Sequence, residues 1–161
     1  MSAELDQERL RYIENFALAW KRMGLSAMSG RVLAYLLISD EDYVSTAQIA
    51  ADLGTSQPAV STSTRELLDA GQIHRHRIPG DRSHYFVADD DPWSVGLRQS
   101  PVQQAVRAAI LPPPSIADEL GERSRSRLRN ASDYHVWLEQ RSAALLEEWE
   151  AYKRNRDAAA D

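Results

Sequence analysis

Cysteine is absent from this chain of 161 residues, and long apolar runs are missing as well. Without cysteine there is no disulfide and no zinc–thiolate site, which fits a reducing compartment such as the cytoplasm. The longest apolar run, Val32 to Ile38, is far shorter than the roughly 20 residues that cross a bilayer. The first residues carry no basic stretch followed by an apolar one. We therefore expect no signal peptide, no membrane partner and a cytoplasmic location.

An excess of basic charge is also lacking, since the formal net charge is −5. Proteins that bind nucleic acid are usually basic, so this value argues against such a partner. Exposed charges are screened beyond about 8–10 Å, however, and the local distribution therefore matters more than the sum. The acidic excess lies in three segments, namely Glu41–Asp42, Asp89–Asp91 and Glu147–Glu150. The remainder of the chain can still present a basic surface.

The sequence also lacks the motifs of enzymes and of cofactor-binding proteins. The sequence contains no nucleophile motif, no glycine-rich phosphate loop and no carboxylate pair at a functional spacing. Three of the four histidines lie on alternating positions without a carboxylate or cysteine at helical ligand spacing, which argues against a metal site. We expect no cofactor, no metal and no catalysis.

The first half of the chain has the pattern of a helix-turn-helix. Leu10 to Met23 has the apolar period of an amphipathic helix, and Val32 to Ile38 is apolar nearly all round, as in a central buried helix. Ser45 and Gln48 form a capping box that begins a short helix, which Gly54 ends. A third helix is predicted from about Gln57 to Ala70, before Gly71. Two helices joined by a short glycine-containing turn are typical of this motif.

A β-hairpin, or wing, is predicted directly after the third helix. Gln72 to Ile78 alternates with a period of two, Pro79 to Arg82 has turn chemistry, and His84 to Ala88 reads as the returning strand.

The remaining residues predict helices. Asp91 can cap a helix with Pro92 at its first position, running to about Leu111. Pro112–Pro114 predicts an extended link, and a long helical stretch follows to about Arg154, with Gly121 or Asn130 as an interruption. The predicted fold is α+β and mostly α. Its three parts are a dimerisation helix (1–25), a winged helix-turn-helix (26–90), and a linker helix with C-terminal dimerisation helices (91–161).

A helical wheel divides the third helix into two faces. Val60, Ser63, Thr64 and Leu67 share the face that packs inward, and Pro58, Ser61, Thr62 and Arg65 share the opposite face. Glutamine and arginine can bond base edges bidentately, and hydroxyl groups can bond bases or phosphates. An ordinary solvated face would have a similar composition, so this helix alone does not distinguish a DNA-binding surface from an exposed helix face without a partner.

The wing adds basic side chains to the same segment. Arg75, His76, Arg77, Arg82 and His84 lie within ten residues, against the single acid Asp81. An arginine near a hairpin tip can enter a minor groove while its neighbours pair with phosphates. Wings also carry charge for solubility alone, but both elements together favour double-stranded DNA as the partner.

Four segments carry a resemblance to a known family. Gly30 to Leu37 (GRVLAYLL), Ser45 to Leu53 (STAQIAADL), Ser61 to Leu68 (STSTRELL) and Pro79 to Phe86 (PGDRSHYF) resemble the MarR superfamily, most nearly its GbsR-like branch. The resemblance implies a homodimer with interwoven terminal helices, a pseudo-palindromic operator, and a repressor released by a small molecule. Gln57–Pro58 departs from the small or basic pair that is more usual there, which puts base preference at this end in doubt.

These considerations give three sets of candidate residues. The predicted DNA-binding residues are Ser56, Gln57, Ser61, Thr62, Thr64, Arg65, Arg75, Arg77, Arg82 and His84, of which Thr64 is included because the resemblance implies it. A pocket for a small lipophilic or cationic effector is predicted at Trp20, Met28, Tyr35 and Trp93, although such rings are more often dimer core. The predicted dimerisation residues are Ile13, Phe16, Trp20, Trp137, Leu138, Leu145 and Trp149.

Alternatives remain open at this level. A winged helix can dock protein instead of DNA, and a DNA-binding factor can work without any ligand. Arg123, Arg125, Arg127 and Arg129 spread over about 600° of helix, so they do not form one stripe. We expect a solvated face or ion pairs between subunits there, with contact to the DNA backbone as the second interpretation.

Overall fold

The computed structural model describes residues 7–97, 101–110 and 112–159, which form seven α-helices and three strands. The helices are α1 (Gln7–Arg22), α2 (Ala27–Leu37), α3 (Thr46–Asp52), α4 (Gln57–Asp69), α5 (Pro101–Ile110), α6 (Pro114–Ala117) and α7 (Glu122–Ala158). The strands are β1 (Val44–Ser45), β2 (Ile73–His76) and β3 (Tyr85–Ala88), and a short 3-10 helix covers Ser94–Leu97.

The chain divides into two compact units, residues 1–93 and 94–161. The first unit contains α1 to α4 and the sheet. Because α1 packs against α2, the N-terminal helix belongs to the same unit as the helix-turn-helix and is not separate from it. In the second unit, α7 packs against α5 and the 3-10 helix.

The core of the first unit surrounds α2, as its apolar run predicts. Val32, Leu33 and Ala34 are completely buried, and Ser26 caps the helix by accepting a hydrogen bond from the Ser29 N–H. The core is completed by residues from every neighbouring element, chiefly Ile13, Trp20, Ile49, Leu53, Val60, Leu67, Ile73 and Phe86. Burial of this apolar surface is the main source of the stability of the unit.

The helix-turn-helix has the predicted limits because its signals are local. Ser45 Oγ accepts a hydrogen bond from the Gln48 N–H, which is one half of the predicted capping box. The Gln48 side-chain amide donates to Asp52 at 2.7 Å. Gly54 has a φ of +59°, a left-handed conformation that suits glycine and ends α3. Ser56 then caps α4.

The sheet has a third strand that the sequence did not predict. Its order is β1-β3-β2 and all pairs are antiparallel, with Val44 opposite Phe86 and Arg75 opposite Phe86 on the other side. The Thr46 N–H, at the start of α3, donates to the His84 carbonyl at 3.0 Å. The wing is therefore hydrogen-bonded to the beginning of the helix-turn-helix.

The structure corrects the sequence prediction after the wing. Pro92 lies in a turn before the 3-10 helix and does not begin a long helix. The predicted end at Leu111 lies outside the described residues. Pro114 begins a four-residue helix instead of extending the link. Gly121 does interrupt the C-terminal helices, as the N-cap of α7, whereas Asn130 continues that helix.

Candidate nucleic-acid interface

The outer face of α4 is exposed as the helical wheel predicts. Ser56, Gln57, Ser61, Thr62 and Arg65 are all exposed, while Val60, Ser63, Thr64 and Leu67 are buried. The Thr62 hydroxyl donates to the Pro58 carbonyl at 3.1 Å, which leaves its oxygen able to accept a hydrogen bond from outside. This helix presents a polar surface with one cation, Arg65.

The structure corrects the assignment of Thr64 to the DNA-binding set. Its side chain is only 2% exposed, and its hydroxyl donates to the Ser61 carbonyl at 3.2 Å. A side chain on the buried face of α4 does not reach a groove while the helix keeps its packing.

Polar contacts from α2 hold α3 and α4 in place. Arg31 donates to the Leu53 carbonyl at 3.0 Å, and its Nε lies 2.8 Å from a Glu14 carboxylate oxygen on α1. Ser29 donates to the Glu66 carboxylate on α4. Tyr35 donates to Asp52 at 2.6 Å, and burial together with this carboxylate raises the pKa of Tyr35 far above its usual value. These bonds fix both helices of the motif to the central helix.

The wing presents the predicted cations to solvent. Arg75, Arg77, Arg82 and His84 are exposed, and the Arg75 guanidinium lies 6.0 Å from the centre of the Phe86 ring. Among residues 7–97, 101–110 and 112–159, the guanidinium groups of Arg65, Arg75, Arg77 and Arg82 make no ion pair. Their charges are therefore available to an anionic partner.

The acid in the wing, Asp81, is bound within the hairpin. Its carboxylate accepts hydrogen bonds from the Ser83 N–H and from the Tyr85 hydroxyl, both at 2.7 Å. The Ser83 N–H and then the Tyr85 hydroxyl hold the pKa of Asp81 below its usual value, and Asp81 raises the pKa of Tyr85. Gly80, in the same turn, has a φ of +84°.

This geometry of two helices, a glycine turn and a three-stranded wing agrees with the comparison with known families. Residues 23–82 match the model of the MarR family. The helix-turn-helix and most of the wing are therefore similar to those of the MarR family. The match does not identify a branch of the family, so the GbsR-like assignment stays a prediction.

Two relatives extend the comparison beyond this lobe. The chain is 28% identical over 144 residues to the HTH-type transcriptional regulator MmpR5 of Mycobacterium tuberculosis, covering 86% of this chain and 84% of that protein. A solved structure described as a transcriptional regulator matches with a TM-score of 0.77 and 24% identity, over 89% of this chain and 99% of that one. This second likeness shows the same fold, which confirms the predicted fold class.

Two histidines of the wing, His74 and His76, contact neighbours inside the protein. His74 Nε2 lies 2.5 Å from the Asp89 carboxylate, and the His76 ring stacks on Tyr43 at 4.3 Å. Within the described part of the chain, no group of three histidine, aspartate or glutamate residues is placed to hold a metal ion. No helix among the described residues is long and apolar enough to cross a membrane.

The structure brings together two of the four predicted effector-pocket residues. Trp20 and Trp93 meet at 6.0 Å between ring centres, and Phe16 contacts both rings. Trp93 is 55% exposed, although it lies in this cluster. Met28 is half-buried against the core, and none of the ring contacts among the described residues joins Tyr35 to the cluster. Among the residues that the structure describes, the ring contacts therefore join Trp20 and Trp93 but do not extend to Tyr35.

The predicted dimerisation residues differ in their availability. Trp137 and Leu145 are exposed on α7, whereas Leu138 and Trp149 are partly buried. The structure corrects the assignment of Ile13, which is completely buried inside its own unit and has no surface left for a partner. Phe16 and Trp20 stack on each other at 5.4 Å.

Two arginines of the basic run at the start of α7 bind groups close by in the sequence. Arg129 pairs with Glu122 at 2.6 Å, and Arg125 donates to the Leu120 carbonyl at 2.7 Å. Arg129 holds the pKa of Glu122 below its usual value. Arg123 and Arg127 are exposed. Local ion pairing explains part of this run without any nucleic acid.

Proposed function

We propose that this protein is a sequence-specific DNA-binding regulator of transcription. The observation that supports it most is the set of unpaired arginines on a MarR-family lobe, one on the outer face of α4 and three on the wing. Groups that make no ion pair inside the protein keep their full charge for phosphates and base edges. The relative from M. tuberculosis is itself described as a transcriptional regulator.

In this proposal α4 enters the major groove of DNA. Gln57 and Arg65 have the donors for bidentate contacts to adenine and guanine, and Ser61 and Thr62 can bond bases or phosphates. The wing lies over the neighbouring backbone, with Arg82 near its tip directed to the minor groove. Arg75, Arg77 and His84 supply phosphate contacts, which give affinity more than specificity.

We further propose that the active form is a homodimer. Large apolar side chains remain exposed along α7, including Tyr134, Trp137, Leu145 and Tyr152. Exposed apolar side chains repeated along one helix are typical of a surface that binds another protein. Two lobes related by a two-fold axis would read half-sites about one helical turn apart in a pseudo-palindromic operator.

The remaining parts of the proposal rest on the MarR resemblance of the sequence. We propose a repressor of a nearby operon, active in the cytoplasm, of the GbsR-like kind, and released by a small lipophilic or cationic effector. Among the predicted pocket residues, Trp93 is 55% exposed beside the buried Trp20, and its ring is the one that can meet such a molecule.

Selection of bound sequences from random double-stranded DNA tests the proposal. We expect enrichment of an inverted repeat whose affinity falls steeply with salt concentration. Arg65→Ala should weaken binding by roughly 1–3 kcal/mol and relax preference at one base position if Arg65 reads a base. Uniform weakening across operator variants would make Arg65 a phosphate contact instead.

Arg154→Ala is the matched control, because Arg154 is exposed near the end of α7 and its removal changes the net charge equally. It should leave the affinity within about twofold of the original, as expected for a distant screened charge. No enrichment of any sequence, together with capture of a protein partner by the same surface, would support the interaction module and overturn the proposal. Unchanged affinity in Arg82→Ala at moderate salt would overturn the role of the wing.

A further inference from the structure

The wing contains an acid where an interface with DNA would be expected to exclude one. Asp81 lies beside Arg82, and no charged partner neutralises its carboxylate within the described residues. A carboxylate near phosphates is repelled by them, so its presence needs another reason. Its two acceptor bonds supply that reason, because one is to Ser83 in the segment that leads to β3 and the other is to Tyr85 at the start of that strand.

Those bonds continue into a chain of ring contacts that reaches the other two strands. The Tyr85 hydroxyl donates to Asp81, and the Tyr85 ring meets Tyr43 edge-on at 5.2 Å. The Tyr43 ring in turn stacks on His76 at 4.3 Å with only 6° between the planes. Tyr43 precedes β1, His76 ends β2, and Tyr85 begins β3. One connected set of side chains thus spans all three strands where the wing leaves the sheet.

We infer that Asp81, Tyr85 and Tyr43 are positioning residues, which hold the wing in the conformation that presents Arg82 to DNA. This inference rests on the proposed DNA-binding function. The segment between β2 and β3 has eight residues, 77–84, outside any strand. Ordering such a segment on binding would use up binding free energy, and a segment that is already ordered avoids that loss.

The charge of Asp81 and its two hydrogen bonds predict opposite effects on DNA affinity when the side chain is removed, which gives a direct test. Asp81→Ala removes a negative charge near DNA, so charge alone predicts tighter binding. Loss of the two hydrogen bonds predicts weaker binding, by about five- to tenfold. Asp81→Asn makes the same change in charge but keeps an acceptor for the Ser83 N–H and a polar neighbour for Tyr85. We expect it to restore the affinity to within about twofold of the original.

Asp90→Ala is the matched control for the loss of one acid, since Asp90 is exposed and outside the wing. Affinity is measured with a labelled duplex taken from the selected pool, and thermal unfolding is recorded for every variant. Tyr85→Phe, which keeps the charge and the ring, should weaken binding as Asp81→Ala does, although by less. Asp81→Ala that binds as tightly as Asp90→Ala, or more tightly, would overturn the inference.

Trypsin cleavage provides a second measurement that needs no DNA. Trypsin cuts after arginine and needs a mobile backbone at the cut. A loosened wing should therefore be cut faster after the exposed Arg77 and Arg82 in Asp81→Ala and Tyr85→Phe than in the original chain or Asp90→Ala. Unchanged cleavage alongside weaker DNA binding would show that Asp81 acts on DNA directly and would also overturn the inference. If the original chain selects no DNA, the proposed function fails, while faster cleavage would still support the positioning role of these residues in the wing.

Discussion

At the scale of single residues, one step along α4 separates two different roles. Thr64 and Arg65 are neighbours, yet Thr64 is buried and Arg65 is exposed. A helix turns by about 100° per residue, so adjacent side chains point to different surroundings. The resemblance of the sequence to a family assigned both to DNA, whereas the wheel already placed Thr64 inside. Local geometry was the better guide for this residue.

Gly30 gives a test of packing at the same scale. A Cβ atom at this position would lie 2.8 Å from the Trp20 Cβ, closer than such atoms approach, and 3.0 Å from the Ala17 Cα, which is also a tight contact. Gly30→Ala should therefore lower the free energy of unfolding by about 1–3 kcal/mol, although alanine favours a helix. Denaturation with urea measures the change.

Gly96→Ala is the control for this substitution, because a Cβ there meets nothing within 4 Å. It should change the free energy of unfolding by no more than about 0.5 kcal/mol. A Gly30→Ala variant as stable as the original would show that α1 can move away from α2 without loss, contrary to the packing described above.

At the scale of elements, the wing allows a prediction about pH. Hydrogen bonds from the Ser83 N–H and the Tyr85 hydroxyl lower the pKa of Asp81 in the folded protein. The ionised carboxylate is the form that accepts both bonds, so the order it gives to the wing is complete above the usual aspartate pKa of about 3.9. That order is lost as the pH falls through the lower value of the folded state. An NMR titration of the Ser83 amide should show this midpoint.

The Asp81→Asn variant should lack that transition while the rest of the spectrum titrates as before. A midpoint for Ser83 at or above the usual aspartate value would contradict the hydrogen bonds that the structure shows. The comparison also separates the wing from general acid unfolding, which would shift signals of the core at the same pH.

The helix-turn-helix and the wing differ in how much of their structure could be predicted from the sequence. The limits of α3 and α4 were predictable because Ser45, Gly54 and Ser56 act on their immediate neighbours. The strand β1 has two residues, too few to show a period, and its pairing with β3 spans about 40 positions of the chain. The Tyr43–His76 stack and the Tyr43–Tyr85 contact depend on that pairing. The cations of the wing were therefore predictable from the sequence, whereas the ring contacts that hold the wing in place were not.

At the scale of the whole molecule, the distribution of charge outweighs its sum. The net charge of −5 argues against DNA only if it is spread evenly. Two of the acidic segments are partly occupied by local pairs, since Asp89 contacts His74 and Glu150 contacts Lys153. The wing arginines have no such pairs among the described residues. Binding to DNA then depends on the local field, and raised salt should weaken it.

The proposed dimer gives a prediction at this scale. Trp137 is 55% exposed on α7, and tryptophan at the centre of an interface commonly contributes about 2 kcal/mol or more to binding. Trp137→Ala should raise the dissociation constant of the dimer by about 30-fold, as measured by sedimentation equilibrium.

Gln140→Ala, an exposed polar change on the same helix, should leave the dissociation constant nearly unchanged. A chain that sediments as a monomer at every concentration would contradict the dimer itself. A dimer that is unaffected by Trp137→Ala would place the interface on other residues.

The bond between the Thr46 N–H and the His84 carbonyl has a consequence for exchanging parts between regulators. Together with the pairing of β1 and β3, it closes residues 44–88 into a ring that includes both helices of the motif and the wing. A graft of α4 alone into another protein would transfer the side chains proposed to contact bases. It would leave behind the strands and hydrogen bonds that orient the helix. The transferable module is the closed ring together with α2, whose side chains hold α3 and α4 in place.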